Sequence, residues 1–147
     1  MQVRANFEKD SPEAIKALMA LEMSIRKFPI ERSLIELINL RTSQINGCAF
    51  CVDLHTSDAR KAGEDERRLS GVVAWRETPF FTPRERAALA WTEALTLVSE
   101  NRVPDELYDE LSVHFDRKDL VELSVAITTI NTWNRLGVAF RKMPKND

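Results

Sequence analysis

The chain has 147 residues, 44% of them hydrophobic and 30% charged, with only four glycines and two cysteines. A core at this length buries roughly two-thirds of the unfolded surface and needs no covalent staple, and the composition excludes disordered and fibrous classes. The 21 Lys and Arg against 23 Asp and Glu leave a net charge of -2, scattered along every segment, which excludes the basic stripe of a nucleic-acid binder.

Residues 1–10 carry charges of both signs and no apolar stretch for a signal peptide, and no later run reaches the ~20 apolar residues of a membrane span. A cytoplasmic location and no membrane partner are expected. Thiols are kept reduced in that compartment, so a close Cys pair points to catalysis or metal binding rather than to a structural disulfide.

Ser11-Pro12-Glu13 reads as an N-cap followed by Pro at the first helical position, and Ile15, Leu18, Met19, Met23 and Ile25 extend a first helix to about Lys27. Phe28-Pro29 interrupts it. A second helix runs from Ile30 through Leu34, Ile35, Leu37, Ile38 and Leu40 until Asn46-Gly47 supplies a turn. A third starts at about Cys48 and stops at Gly63, with Arg60 and Lys61 in its last turn. Residues 64–75 read as a short helix whose charged start, residues 63–68, is a solvated face.

Thr82-Pro83-Arg84-Glu85 is a capping box that opens a strong helix through Ala87, Leu89, Trp91, Leu95 and Val98. A shorter helix follows over residues 104–115, and Asp116 caps the last one. There Leu120, Val121, Leu123, Val125, Ile127, Ile130, Trp133 and Leu136 are too many for one narrow stripe, so the helix belongs at the centre of the fold or in a subunit interface. Asn131 and Asn134 within it need partners and are expected to pin a neighbouring helix or subunit. No alternating strand pattern or compositional boundary is present, so the reading is all-α: one helical domain over residues 1–147.

Cys48, Cys51 and His55 are spaced three and four apart, which puts them along one face of a helix whose start favours a thiolate through its unpaired amides. Cys51 is within reach of His55 as base, whereas the helix dipole alone favours Cys48. The proton route ranks the His contact first, making Cys51 the preferred nucleophile. Two alternatives stand beside this reading: a zinc site completed by His114, and a pair of plain core thiols. Glu36, between Ile35 and Leu37, reads from the pattern alone as an exposed helix acid. Trp75, Trp91 and Trp133 read as core or interface anchors with no substrate role.

These residues resemble the alkylhydroperoxidase D-like (AhpD-like) branch of the carboxymuconolactone decarboxylase superfamily. The resemblance is most specific over residues 30–100, above all 36–62, and extends to Arg141 through Ala74-Trp75-Arg76-Glu77-Thr78-Pro79-Phe80 and Ile130-Asn131-Thr132-Trp133-Asn134-Arg135. It implies a single AhpD-like helical bundle. A Glu twelve positions before the first Cys and a His four after the second are family features, which Glu36 and His55 match.

The resemblance therefore implies a peroxidase or disulfide oxidoreductase in which Cys51 attacks a hydroperoxide, Cys48 resolves the sulfenic acid, and Glu36 with His55 relays the proton. It requires no metal or organic cofactor and implies a dithiol or thiol-protein reductant and a homo-oligomer. Phe50 departs from the family, where His precedes the second Cys. A redox sensor without turnover and a cofactor-free enzyme like the decarboxylase are the alternative functions.

Overall fold

The computed structural model describes residues 2–144, and every regular element among them is helical. In chain order these are α1 (Phe7–Asp10), α2 (Pro12–Ile25), α3 (Arg32–Asn46), α4 (Ala49–Lys61), α5 (Glu66–Gly71) running into a 3₁₀ stretch (Val72–Glu77), α6 (Pro83–Thr96), α7 (Val98–Asn101), α8 (Asp105–Ser112) and α9 (Arg117–Phe140). The fold is all-α, as the sequence pattern predicts.

The caps explain most boundaries. Thr82 accepts from the Glu85 amide while the Glu85 side chain accepts from the Thr82 amide, completing the predicted box. Asp116 accepts from the Asp119 amide at 2.8 Å and starts α9. Gly47 and Gly63, at φ of 67° and 89°, take the left-handed backbone that ends α3 and turns the chain after α4. Three expectations change. The helix read as running through Val98 breaks at Leu97, where φ is -104° and ψ 38°, so α6 ends at Thr96 and α7 begins at Val98. Ser11 stands at the cap position but its side chain makes no capping bond, leaving Pro12 to start α2. The charged start of α5 is only half solvated: Asp65 caps that helix, while Glu64 and Glu85 clamp Arg68 in a part-buried network joining it to α6.

The most enclosed helix is α3, packed against α4, α6 and α9, with Leu34 through Leu40 buried without a break. One face joins Leu34 and Ile38 to Trp91, Leu123 and Ile127; the other joins Leu37 and Leu40 to Val72, Trp75 and Leu89. Full burial of each such aliphatic side chain stabilises the fold by about 1.5–3 kcal/mol before entropy. The last helix packs against α2, α3, α4, α6 and α8, but its Val121 and Val138 stay exposed, so it buries a broad face rather than its whole circumference. Core packing thus holds α3 and α9 as two fixed walls, with the start of α4 between them.

Candidate active site

The turn after α3 delivers the thiols. Left-handed Gly47 reverses the chain, the Cys48 amide donates to the Ser43 carbonyl at 3.0 Å, and Cys48 becomes the N-cap of α4. Its carbonyl accepts from Val52 at 2.9 Å, so Cys51 lies in the first turn, where amides lack intrahelical acceptors and the helix end favours negative charge. The two sulfurs are joined as a disulfide, with the Cα atoms 5.3 Å apart.

Glu36 on α3 is 2% exposed, not the surface acid its pattern alone suggests. Its two oxygens are separately engaged: Arg32 lies 2.6 Å from Oε1, and His55 Nδ1 lies 3.0 Å from Oε2. Burial pushes the carboxyl up, but the hydrogen bond to His55 and the charges of His55 and Arg32 outweigh it, holding Glu36 below the usual carboxylate value. An ionised carboxylate can only accept, so Nδ1–H donates and Nε2 is the ring nitrogen left for other work. Buried Glu36 thereby fixes both the tautomer and the ring orientation of His55.

A cavity of about 300 Å³ opens on this group. Glu36, Cys51 and His55 line it; Cys48 does not. Its other walls are largely apolar and include Ile25 and Phe28, Ile35, Phe50, Ile130 and Trp133. The structure therefore brings together three of the four predicted residues on the cavity and sets the fourth behind Cys51. His114 is elsewhere, in the turn after α8, where its backbone carbonyl accepts from Arg84, and it does not line the cavity. No group of three metal-ligating side chains occurs among the described residues.

Three features escape the sequence reading. Trp133 faces the cavity instead of serving only as an anchor. Phe50 lines the cavity, with the Lys142 ammonium 4.2 Å from its ring centroid and Lys142 paired to Glu8 at 2.6 Å. The third is Gly137 on α9, where an added Cβ would stand 2.9 Å from Cys48 Sγ and 3.6 Å from Cys51 Sγ. A helical glycine with no turn function is the one signal that could have drawn attention to it.

Asn131 and Asn134 act as expected. The Asn46 amide donates to both of their side-chain oxygens at 3.0 Å, and Asn134 donates to Ser43 Oγ at 3.1 Å. Asn131 also donates to Thr96 Oγ1 and accepts from Arg135. This network fastens the end of α3, immediately before the thiol turn, to α9. A fully satisfied polar cluster of this kind rigidifies what it joins.

Comparison with known proteins gives a consistent picture. The carboxymuconolactone decarboxylase family profile matches residues 12–94. The uncharacterized protein YdfG of Bacillus subtilis (strain 168) is 45% identical over 139 residues, covering 95% of each chain. Among solved structures, a protein of unknown function from Agrobacterium tumefaciens, for which an antioxidant defence role as AhpD is suggested, superposes with a TM-score of 0.97 at 44% identity, covering 99% of this chain and 100% of that one. The AhpD core of an uncharacterized peroxidase-related protein from Ralstonia eutropha JMP134 has a TM-score of 0.84 at 20% identity over 95% of this chain and 74% of that one, a likeness of fold alone.

Proposed function

The chain is an AhpD-like member of the carboxymuconolactone decarboxylase family, and from that premise we propose that it is a thiol peroxidase that reduces small organic hydroperoxides. The observation carrying the proposal is that Cys51 shares a largely apolar cavity with His55, and His55 is oriented by a buried, ionised Glu36.

In the reduced protein, His55 Nε2 accepts the Cys51 proton directly or through one water. The thiolate attacks the terminal peroxide oxygen, the O–O bond breaks, and the proton passes to the departing alkoxide as alcohol. Cys51 is left as a sulfenic acid. Cys48 then attacks that sulfur, releasing water and forming the 48–51 disulfide. An external dithiol reduces this disulfide and is itself oxidised. Glu36 keeps its charge throughout and stabilises the imidazolium formed between the two proton transfers.

We extend the reading to a homo-oligomer, supported by exposed Met19, Leu21 and Met23 on α2, whose only buried side chain is Ile25. Light scattering of the purified protein tests that extension.

The chemistry is tested by titrating the thiols of the reduced protein before and after one equivalent of cumene hydroperoxide, with peptide mass mapping. Rapid loss of both thiols into an intramolecular 48–51 disulfide, and repeated turnover once dithiothreitol is added, are expected. Thiols that stay intact for hours would sink the peroxidase reading. Stoichiometric oxidation without recycling would identify a sensor instead.

A further inference from the structure

Gly137 stands in the final turns of a 24-residue helix, at a position with no positive φ, so its backbone does not require glycine. Glycine is also the poorest helix former after proline, and the position is buried. What does require it is the neighbouring sulfur: an added Cβ would approach Cys48 Sγ to 2.9 Å, closer than such atoms are found, while its 3.6 Å separation from Cys51 Sγ is ordinary contact. The conflict is therefore with one sulfur of the pair.

Neither side can easily give way. Cys48 Sγ is tied to Cys51 in the disulfide, and Cys48 is held as the cap of α4. The helix cannot back off freely, because Asn134, one turn earlier, is bonded to Ser43 and Asn46. Once reduced, however, the Cys48 side chain regains its other χ1 rotamers. A side chain at position 137 thus opposes the bonded arrangement more than the dithiol.

We propose that Gly137 is a positioning residue for the resolving step: its missing side chain is the space in which Cys48 Sγ sits when it bonds to Cys51. The step it assists is Cys48–SH plus Cys51–SOH giving the disulfide plus water. Only this kinetic part rests on the peroxidase reading. The effect on the dithiol–disulfide equilibrium does not.

The test is Gly137→Ala, first equilibrated in dithiothreitol redox buffers without peroxide. The expected result is a disulfide about tenfold or more easier to reduce than in the wild type, with Tm lowered in the oxidised protein and nearly unchanged in the reduced one. After one equivalent of cumene hydroperoxide, dimedone should trap a Cys51 sulfenic acid in the variant and little in the wild type. An unchanged equilibrium constant would overturn the proposal. A shifted equilibrium in a protein that never reacts with peroxide would retain the role of Gly137 in disulfide geometry while rejecting the peroxidase function. If Gly137→Ala does not fold, Cys48→Ala combined with Gly137→Ala decides. Rescue of folding by removing the sulfur supports the proposal, and failure in both backgrounds overturns it.

Discussion

Two carboxylates, Glu36 on α3 and Glu93 on the neighbouring α6, show how similar groups are built for different work. Glu93 on α6 gathers Arg41 through two nitrogens at 2.7 and 2.8 Å, Trp75 Nε1 at 2.9 Å, and Arg76 on its other oxygen. Glu36 has Arg32 on one oxygen and His55 on the other. In both, burial raises the carboxyl and its partners more than reverse the effect. The difference lies in the partners. Every donor to Glu93 holds its proton at any physiological pH, so the group is a clamp between α3, α6 and the 3₁₀ stretch. One donor to Glu36 is an imidazole whose second nitrogen is free to exchange a proton beside Cys51. A buried acid paired with a titratable group on a cavity is a relay; paired with guanidinium it is structure.

The largest effects should fall on the cavity side. Cys51→Ser is expected to lower the rate of peroxide reduction about a thousandfold or more while leaving the helical circular dichroism intact. Cys48→Ser should still consume one equivalent of peroxide and then stop at a trapped sulfenic acid. If Cys51→Ser retained the wild-type rate, the assignment of the nucleophile would be wrong.

The two carboxylates are separated most sharply by the same substitution. Glu36→Gln should cost on the order of 10²-fold in the peroxide reaction, because the imidazolium loses its counter-charge. Glu93→Gln should leave that rate nearly unchanged and instead cost about 1–3 kcal/mol of stability, through imperfectly paired Arg41, Arg76 and Trp75. Parallel stopped-flow and urea-unfolding measurements provide the check. A Glu93→Gln variant that lost activity without losing stability would dissolve the distinction between relay and clamp.

A smaller effect is expected between the two regions. Asn134→Ala removes the donor to Ser43 Oγ and one acceptor of Asn46 within a buried cluster, and should cost about 1–3 kcal/mol. Because Asn46 keeps Asn131, the thiol turn should stay attached to α9 and activity should fall less than in Glu36→Gln. Hydrogen exchange at the amides of the Cys48 turn would show whether protection is lost there first.

Much of this was readable from the chain because it is encoded locally. Capping by Thr82 and Asp116, the stop at Gly63 and the 48–51–55 spacing each involve residues within one or two turns. Glu36 was readable only through its distance from Cys48 in a family pattern, since its flanking residues resemble those of a surface acid; what buries it is packing by distant parts of the chain. The four-residue helices α1 and α7 fall below the length at which periodicity means anything. The cavity needs α2, α9 and the start of α4 brought together. Gly137 earns its place through a sulfur 89 positions away, and Glu64 and Arg68 are drawn inward by Glu85 on another helix. Apart from the unused cap at Ser11 and the two shortest helices, the parts that were missed are contacts across the fold.

The smallest predicted effect concerns acid. Glu36 is held below its ordinary value of 4.5 in the folded protein, so its ionised form is favoured by folding. The stability this provides is fully present above the unfolded value and is lost as pH falls through the lower, folded one. The stability gap between wild type and Glu36→Gln, measured by urea unfolding, should therefore be largest near neutrality and narrow as pH falls below the ordinary carboxylate range. Glu93 shifts in the same direction, so its own gap should also narrow in acid, starting from a larger value because four donor nitrogens depend on it. Gaps closing together would mean that both carboxylates are ionised in the fold and differ only in what their partners can do with a proton. A Glu36 gap that stayed constant into acid would mean that the acid carries its own proton when folded, and His55 would then lack the counter-charge that its role as a base requires.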